Sequence, residues 1–166
     1  YVIIAPRRGK RPHEIAPAEC LSSPKKKSCV FCSPRVEKEK TFLTVGGREW
    51  RIKVLDNKFP AVSLGNPKAY GKQEVVVETP DHGLELEDLS ERQIADIFKV
   101  YAERTREISK NKKIEYILIF KNNGGTAGAS LAHSHSQIFA TEFLPPHLGD
   151  KCQKVQDYKL RRGRCV

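Results

Sequence analysis

No stretch of this sequence is apolar for anything near the roughly 20 residues that a bilayer-spanning helix needs, and no basic-then-apolar leader with a small-residue cleavage site opens it. Those two absences lead us to expect a soluble, cytoplasmic protein with no membrane partner. Methionine is missing altogether: the chain starts on Tyr1 and runs out on a basic tail at 161–164 followed by Cys165 and Val166, without a structural stop. We therefore expect a piece of something longer. There is no internal repeat and no low-complexity tract, which excludes a repeat architecture. The five cysteines (Cys20, Cys29, Cys32, Cys152 and Cys165) are odd in number and unevenly spaced, so they do not make the framework of a secreted disulfide scaffold. Acidic residues are in deficit, 20 against 30 Lys and Arg, a net charge of +10 that would attract any polyanion. Yet the tight basic clusters are at 25–27 and 161–164, in loop or terminal stretches, so a solvated surface explains them better than a nucleic-acid interface.

What is present suits one ordinary domain over residues 1–166, with an apolar fraction of 39% that can supply a core. A short apolar strand at 2–5 precedes a basic turn in which Arg7, Arg8, Lys10 and Arg11 crowd around Gly9; such a turn can clamp a phosphate or lie exposed. Residues 16–40 are rich in Pro, Ser and Lys and have no helical or strand period, and a loop of that length needs something to fix it. The segments 41–45 and 49–54, joined through Gly46 and Gly47, read as a β-hairpin. A strand at 74–78 centred on Val75, Val76 and Val77 ends at Thr79-Pro80-Asp81-His82-Gly83, and 114–120 reads as a buried strand. Between them lies the one clear helix, 90–110. Ser90 and Gln93 stand at capping-box spacing, and Ile94, Ile97, Phe98, Tyr101, Thr105 and Ile108 form a packing face. Leu144-Pro145-Pro146 breaks the last strand. The expected fold class is α+β: a mostly antiparallel sheet with one long packed helix.

The organising stretch is NNGGTAGASLAHSHSQIF, residues 122–139. If its second part is extended, His133, His135 and Gln137 line one face, and Ser134, Ser136 and Ile138 the other. Upstream, the loop from Asn122 through Gly124, Gly125 and Gly128, with Thr126 and Ser130, can bring backbone N–H groups close to an anion. Cys29 and Cys32 at CxxC spacing supply two thiolates, and His82 and His133 are the candidates to complete a tetrahedral zinc site. A redox pair is the competing reading, but such a motif opens a helix after a strand, whereas Pro24 and Pro34 flank this one. The zinc would be structural, tying the long loop to the histidine strand. With His133 committed there, His135 is left as a nucleophile toward phosphorus, and Gln137 can hold phosphoryl oxygens through its N–H but cannot act as a general acid. That favours transfer between phosphates over hydrolysis.

SLAHSHSQ, together with CVFC, PDH and RRGKRP, resembles the N-terminal half of galactose-1-phosphate uridylyltransferases, in the histidine triad superfamily. The resemblance implies a histidine-triad-like fold, His135 as the uridylylated residue, and Ser130 and Gln137 on the phosphoryl oxygens. It implies zinc on Cys29, Cys32, His82 and His133, the basic pair Arg8 and Arg11 near the phosphates, Val30 and Phe31 lining the base pocket, and Asn57 reaching the nucleoside. It further implies ping-pong exchange of UMP between UDP-glucose and galactose 1-phosphate in a homodimer. The chain departs from the family at Ser134, where Pro is common, and at Lys58, where an acidic residue is frequent. The family's second, similar half is not in this sequence. Two other readings compete: an ADP-glucose phosphorylase of the same superfamily, and a zinc-stabilised nucleotide- or nucleic-acid-binding module.

Overall fold

A computed structural model of the protein describes residues 3, 5–11, 29–47, 49–124 and 127–164. The expectations at Gly125, Thr126, Cys20, Cys165, Pro24 and the basic cluster 25–27 lie outside these residues. Of the strand expected at 2–5, Ile3 and Ala5 are described, and neither is in a strand.

Five strands form one antiparallel sheet in the order β1-β2-β3-β5-β4: β1 Thr41–Val45, β2 Ile52–Asp56, β3 Gly71–Val77, β4 Tyr116–Phe120 and β5 His135–Thr141. The β1–β2 hairpin turns through Gly46 and Gly47, whose φ angles of 107° and 66° lie where a side chain is disfavoured. Gly71 opens β3 because a Cβ there would overlap the Ala140 carbonyl oxygen of β5 and the Val62 side chain. The register places Val75 opposite Gln137 and Val77 opposite His135, so alternate residues sort cleanly between two faces.

Helix α1, Glu91–Ser109, covers the rear face. It packs Ile97, Val100 and Ile108 against Ile52, Val54, Val76, Ile138 and Ala140, the second of two core clusters. The expected helix face is rotated slightly: Phe98 is 60% exposed, while Val100 and Arg104 point inward. Arg104 is there because Glu74, wholly buried on β3, takes its guanidinium through two bonds of 2.9 and 2.8 Å. The capping box is half made. Ser90 accepts from the Gln93 main-chain N–H, but the Gln93 side chain donates to the carbonyls of Arg51 and Glu78, fastening the helix start to the ends of β2 and β3.

Two sequence expectations are corrected. The 114–120 strand is not buried: β4 closes one edge of the sheet, is half-covered, and leaves Leu118 40% exposed. Leu144-Pro145-Pro146 does not merely end β5; it starts a second helix, α2 Pro146–Arg162, since proline suits the first helical turn, where its missing N–H is no loss. None of the α2 residues is buried.

Among the described residues no α-helix packs on the front face of the sheet. The segment from Cys29 to Val36 lies there instead, and Phe31 and Val36 join Trp50, Leu55, Val75, Val77 and Leu131 in the first core cluster.

Removing one member of a buried ion pair leaves the other charge uncompensated, at a cost of about 3–5 kcal/mol. Lys72 also reaches Glu74, at 2.8 Å, and should keep the loss in Arg104→Leu near the lower end of that range. Chemical denaturation of Arg104→Leu and of the Glu74→Leu/Arg104→Leu double variant should show the single change to be the more damaging. Equal losses would mean that Lys72 alone neutralises Glu74.

Candidate functional site

Four buried side chains converge where the front-face loop meets the sheet: Cys29, Cys32, His82 and His133, with their donor atoms all within 4.8 Å of one another. His133 Nε2 lies 2.7 Å from the Thr79 carbonyl. A carbonyl can only accept, so Nε2 carries the hydrogen and Nδ1 is left as a lone pair. That Nδ1 faces both sulfurs, at 3.6 Å from Cys29 Sγ and 3.5 Å from Cys32 Sγ, and His82 Nδ1 is 3.4 Å from Cys32 Sγ. In a tetrahedron with metal–sulfur bonds of about 2.3 Å and metal–nitrogen bonds of about 2.05 Å, sulfur and nitrogen stand roughly 3.6 Å apart. These three sulfur–nitrogen separations match that spacing and the donor set is one that suits a divalent ion of zinc's size, and the Phe31 main-chain N–H, 3.4 Å from Cys29 Sγ, would stabilise a thiolate. The long loop is fixed at this point, two residues from His135.

His135 makes the opposite choice of tautomer. Its Nδ1 lies 2.8 Å from the His133 carbonyl, so Nδ1 is the protonated nitrogen and Nε2 the free one. Burial lowers its pKa below the ordinary histidine value, partly opposed by that carbonyl bond, with the charge of Lys121 acting in the same direction as burial. The neutral ring is thus favoured. Phe31 packs on it, ring centroids 5.2 Å apart.

His135 lines a pocket of about 220 Å³ together with Arg8, Arg11, Val30, Phe31, Asn57, Ser130 and Gln137. Arg8 enters from a short 3-10 turn, Pro6–Lys10, and donates to the Phe59 carbonyl at 3.0 Å. Its pKa is lowered by burial and then by the like charge of Arg11. Asn57 uses its side-chain oxygen on the Phe59 N–H, an Asx turn that shapes the pocket wall. Lys58 also lines the pocket and pairs there with Glu39 at 2.6 Å. Carboxylates nevertheless reach this wall, those of Glu39 and Asp56.

Behind β5 the serines of the HSHSQ run are tied into a polar network. Ser134 donates to Glu78 at 2.7 Å, and Lys121 bridges Glu78 at 2.8 Å and Ser134 at 2.7 Å. Tyr101 of α1 bonds both Glu78 and Ser136, at 3.0 and 2.7 Å. Burial alone would raise the Glu78 pKa. The Lys121 bond and charge, with Ser134 and Tyr101, overcome it and hold the carboxyl below its usual value, while burial and the Glu78 charge push the Tyr101 phenol up.

The described residues predicted around the histidines are gathered here with three exceptions. Asn122, Gly124 and Gly128 do not line the pocket: the Ala129 N–H donates to the Gly124 carbonyl at 3.1 Å, and of the described residues in this stretch Ser130 and Leu131 line the pocket. Gly125 lies outside the described residues. The sequence reading also missed Gln73, which donates to Gln137 at 2.8 Å. The period-2 rule could have found it, since Gln73 precedes Val75 and Val77 on the same face; the expected strand, 74–78, started three residues after the observed one.

Fold and site together define a class: an α+β domain whose antiparallel sheet presents a histidine, braced by a Cys2His2 cluster, to a cationic pocket. The chain belongs to the galactose-1-phosphate uridylyltransferase family, matching its N-terminal domain over residues 2–145. It is 32% identical to an ADP-glucose phosphorylase of Arabidopsis thaliana over 99% of this chain and 52% of that protein. To a galactose-1-phosphate uridylyltransferase of Thermotoga maritima it is 28% identical over 99% of this chain and 51% of the other. The crystal structure of an Arabidopsis thaliana ADP-glucose phosphorylase with bound ADP-glucose superposes with a TM-score of 0.79 at 32% identity, over 97% of this chain and 51% of that one. A uridylyltransferase structure gives 0.73 at 31%, over 91% and 50%. The chain thus spans about half the length of these relatives.

Cys29→Ser should lower metal content and thermal stability together, by more than the roughly 10–100-fold in affinity that loss of an outer-shell partner costs. Metal analysis beside a thermal melt checks this; a variant as metal-replete and stable as the parent would refute the cluster as a metal site. For Glu78, whose folded pKa is depressed, the stabilisation is complete above the unfolded value and lost as pH falls through the folded one. Glu78→Gln should therefore be less stable at neutral pH yet lose less stability on acidification, in denaturant titrations run from neutral to acid pH.

Proposed function

We propose that the chain is the N-terminal half of a nucleotidyltransferase in which His135 carries the nucleoside monophosphate between two phosphorylated partners. The observation that carries this reading is the orientation of one ring: His135 gives Nδ1–H to the His133 carbonyl, leaving Nε2 as a lone pair on a side chain that lines a pocket with Arg8, Arg11, Ser130 and Gln137. Attack of Nε2 on the α-phosphorus of a nucleotide sugar forms a P–N bond. The P–O bond to the β-phosphate breaks, and a hexose 1-phosphate leaves with the electron pair. A phosphate oxygen of the acceptor then attacks the same phosphorus and expels the imidazole. A phosphate leaving group needs little protonation, so an amide at Gln137, which donates but is no general acid, suits exchange better than hydrolysis.

In this reading Arg8 and Arg11 balance the phosphate charge, Ser130 and Gln137 hold phosphoryl oxygens, Val30 and Phe31 flank the base, and Asn57 faces the nucleoside. Cys29, Cys32, His82 and His133 would hold a structural zinc, whose contribution is to keep the loop and the histidine strand in register. The donor is UDP-glucose and the acceptor galactose 1-phosphate, as the family name suggests, in a cytoplasmic homodimer completed by a second half. A second reading, ADP-glucose with inorganic phosphate as acceptor, is favoured by the higher identity to the Arabidopsis thaliana phosphorylase, 32% against 28% for the Thermotoga maritima uridylyltransferase.

Intact mass after incubation with UDP-glucose or, separately, ADP-glucose tests both readings, at alkaline pH because a phosphoramidate is acid-labile. The expected result is one nucleotidyl adduct, absent from His135→Ala, with the donor that forms it naming the base. Adduct persisting in His135→Ala would remove the nucleophile from this account.

A further inference from the structure

The two ends of a glutamine amide are nearly the same shape, and which one faces a ligand is a matter of hydrogen-bond partners. For Gln137 the partners decide it. Gln73, on the front face of β3 and only 4% exposed, meets two donors at one end: the Ala61 main-chain N–H at 2.9 Å and an Arg8 Nη1 at 3.4 Å. Neither of these can accept, so the Gln73 atom between them is its oxygen. Its nitrogen is then the atom 2.8 Å from Gln137. A nitrogen there can only donate, which makes the facing atom of Gln137 its oxygen and turns the Gln137 NH2 away from Gln73. A single backbone donor at Ala61 therefore propagates through two amides: turning both over together would set hydrogen against hydrogen at Ala61 and Arg8, and turning Gln73 alone would also set oxygen against oxygen at Gln137.

We propose that Gln73 is a positioning residue that fixes the amide polarity of Gln137, so that Gln137 offers the pocket N–H groups rather than a carbonyl, with the setting anchored on the Ala61 main chain and shared with Arg8. A carbonyl presented to a phosphoryl oxygen repels it, so the setting decides whether Gln137 attracts or rejects an anion. The shared oxygen also links Gln137 to Arg8, two of the groups assigned to the phosphates. This deepens the nucleotidyl-transfer reading, on which it rests for the identity of the anion; the amide setting itself belongs to the unliganded protein.

Gln73→Glu tests it with almost no change of shape. The introduced carboxylate still accepts from Ala61 and Arg8 but cannot donate to Gln137, whose amide should turn over to donate to it. In the intact chain, side-chain amide NMR, with Gln137→Ala assigning the signals, should show the Gln137 NH2 exchanging readily with water in the parent and protected in Gln73→Glu. An unchanged Gln137 signal would overturn the proposal. Calorimetric titration with UMP and with AMP then reads the consequence. Gln73→Glu should weaken binding at least tenfold when Gln137 is present and about threefold or less in the Gln137→Ala background, where only the added charge acts. Equal loss in both backgrounds would show that Gln73 acts by charge or fold alone and would overturn the link to the anion. If the parent binds neither nucleotide while the NMR switch is seen, the nucleotidyl reading fails and the amide setting stands.

Discussion

Everything on the front face of the sheet depends on the contact of Cys29 and Cys32 with His82 and His133. A sheet with one face covered by α1 has another to hide, and here a loop hides it. Loops seldom bury apolar surface well, because their backbone groups need partners. This one carries Phe31 and Val36 into the front cluster, and the sulfur–imidazole convergence holds it there. The same residues form one wall of the pocket, since Phe31 touches the His135 ring and Val30 stands beside it. Core and site are therefore not separate structures. Loosening the cluster would expose Val75, Val77 and Leu131 and open the pocket in one event.

The rear face shows what the HSHSQ run needs on its other side. Ser134 and Ser136 are small enough to sit over α1 and polar enough to enter the Glu78–Lys121–Tyr101 network. Where relatives in the family commonly use a proline to stiffen this strand, the chain has a serine whose hydroxyl is bonded by a buried ion pair. Both devices restrict the backbone between the two histidines. The proline does so covalently; the serine does so through partners just after β3 and just after β4, which makes the strand's register depend on the sheet as a whole.

Much of this was legible in the sequence because periodicity and spacing report it directly. The valines of β3, the Ser90 cap and inward-facing Ile97 and Ile108 of α1, the CxxC pair and the alternation of the histidine strand each reflect a local rule. What was not legible depends on the third dimension. Helix α2 has no buried residue, and its prolines read as an end rather than a beginning. The strand β4 has the composition of a buried strand and lies at an edge, because position in a sheet is not a property of the strand. Gly124 lies in a stretch whose glycines suggest an anion cradle, and in the structure its carbonyl accepts from the Ala129 N–H while Gly124 itself does not line the pocket. Gln73 lay just outside the strand expected at 74–78, so its place on the site face went unread.

The orientations that give the site its chemistry all trace back to main-chain groups. The Thr79 carbonyl sets the tautomer of His133 and so aims its Nδ1 at the sulfurs. The His133 carbonyl sets His135 the other way and leaves Nε2 free. The Ala61 N–H sets Gln73, and through it the face of Gln137. Imidazole and carboxamide are the two side-chain groups that can present either a donor or an acceptor in the same outline. A site built from them is ambiguous until something external chooses. Backbone carbonyls and N–H groups cannot change roles, and these stand on or beside the paired strands, so the fold chooses. A serine or an arginine elsewhere in the pocket could be moved without altering that logic, whereas a change in the backbone at Thr79, His133 or Ala61 would alter what the histidines and the glutamine present while leaving every side chain in place.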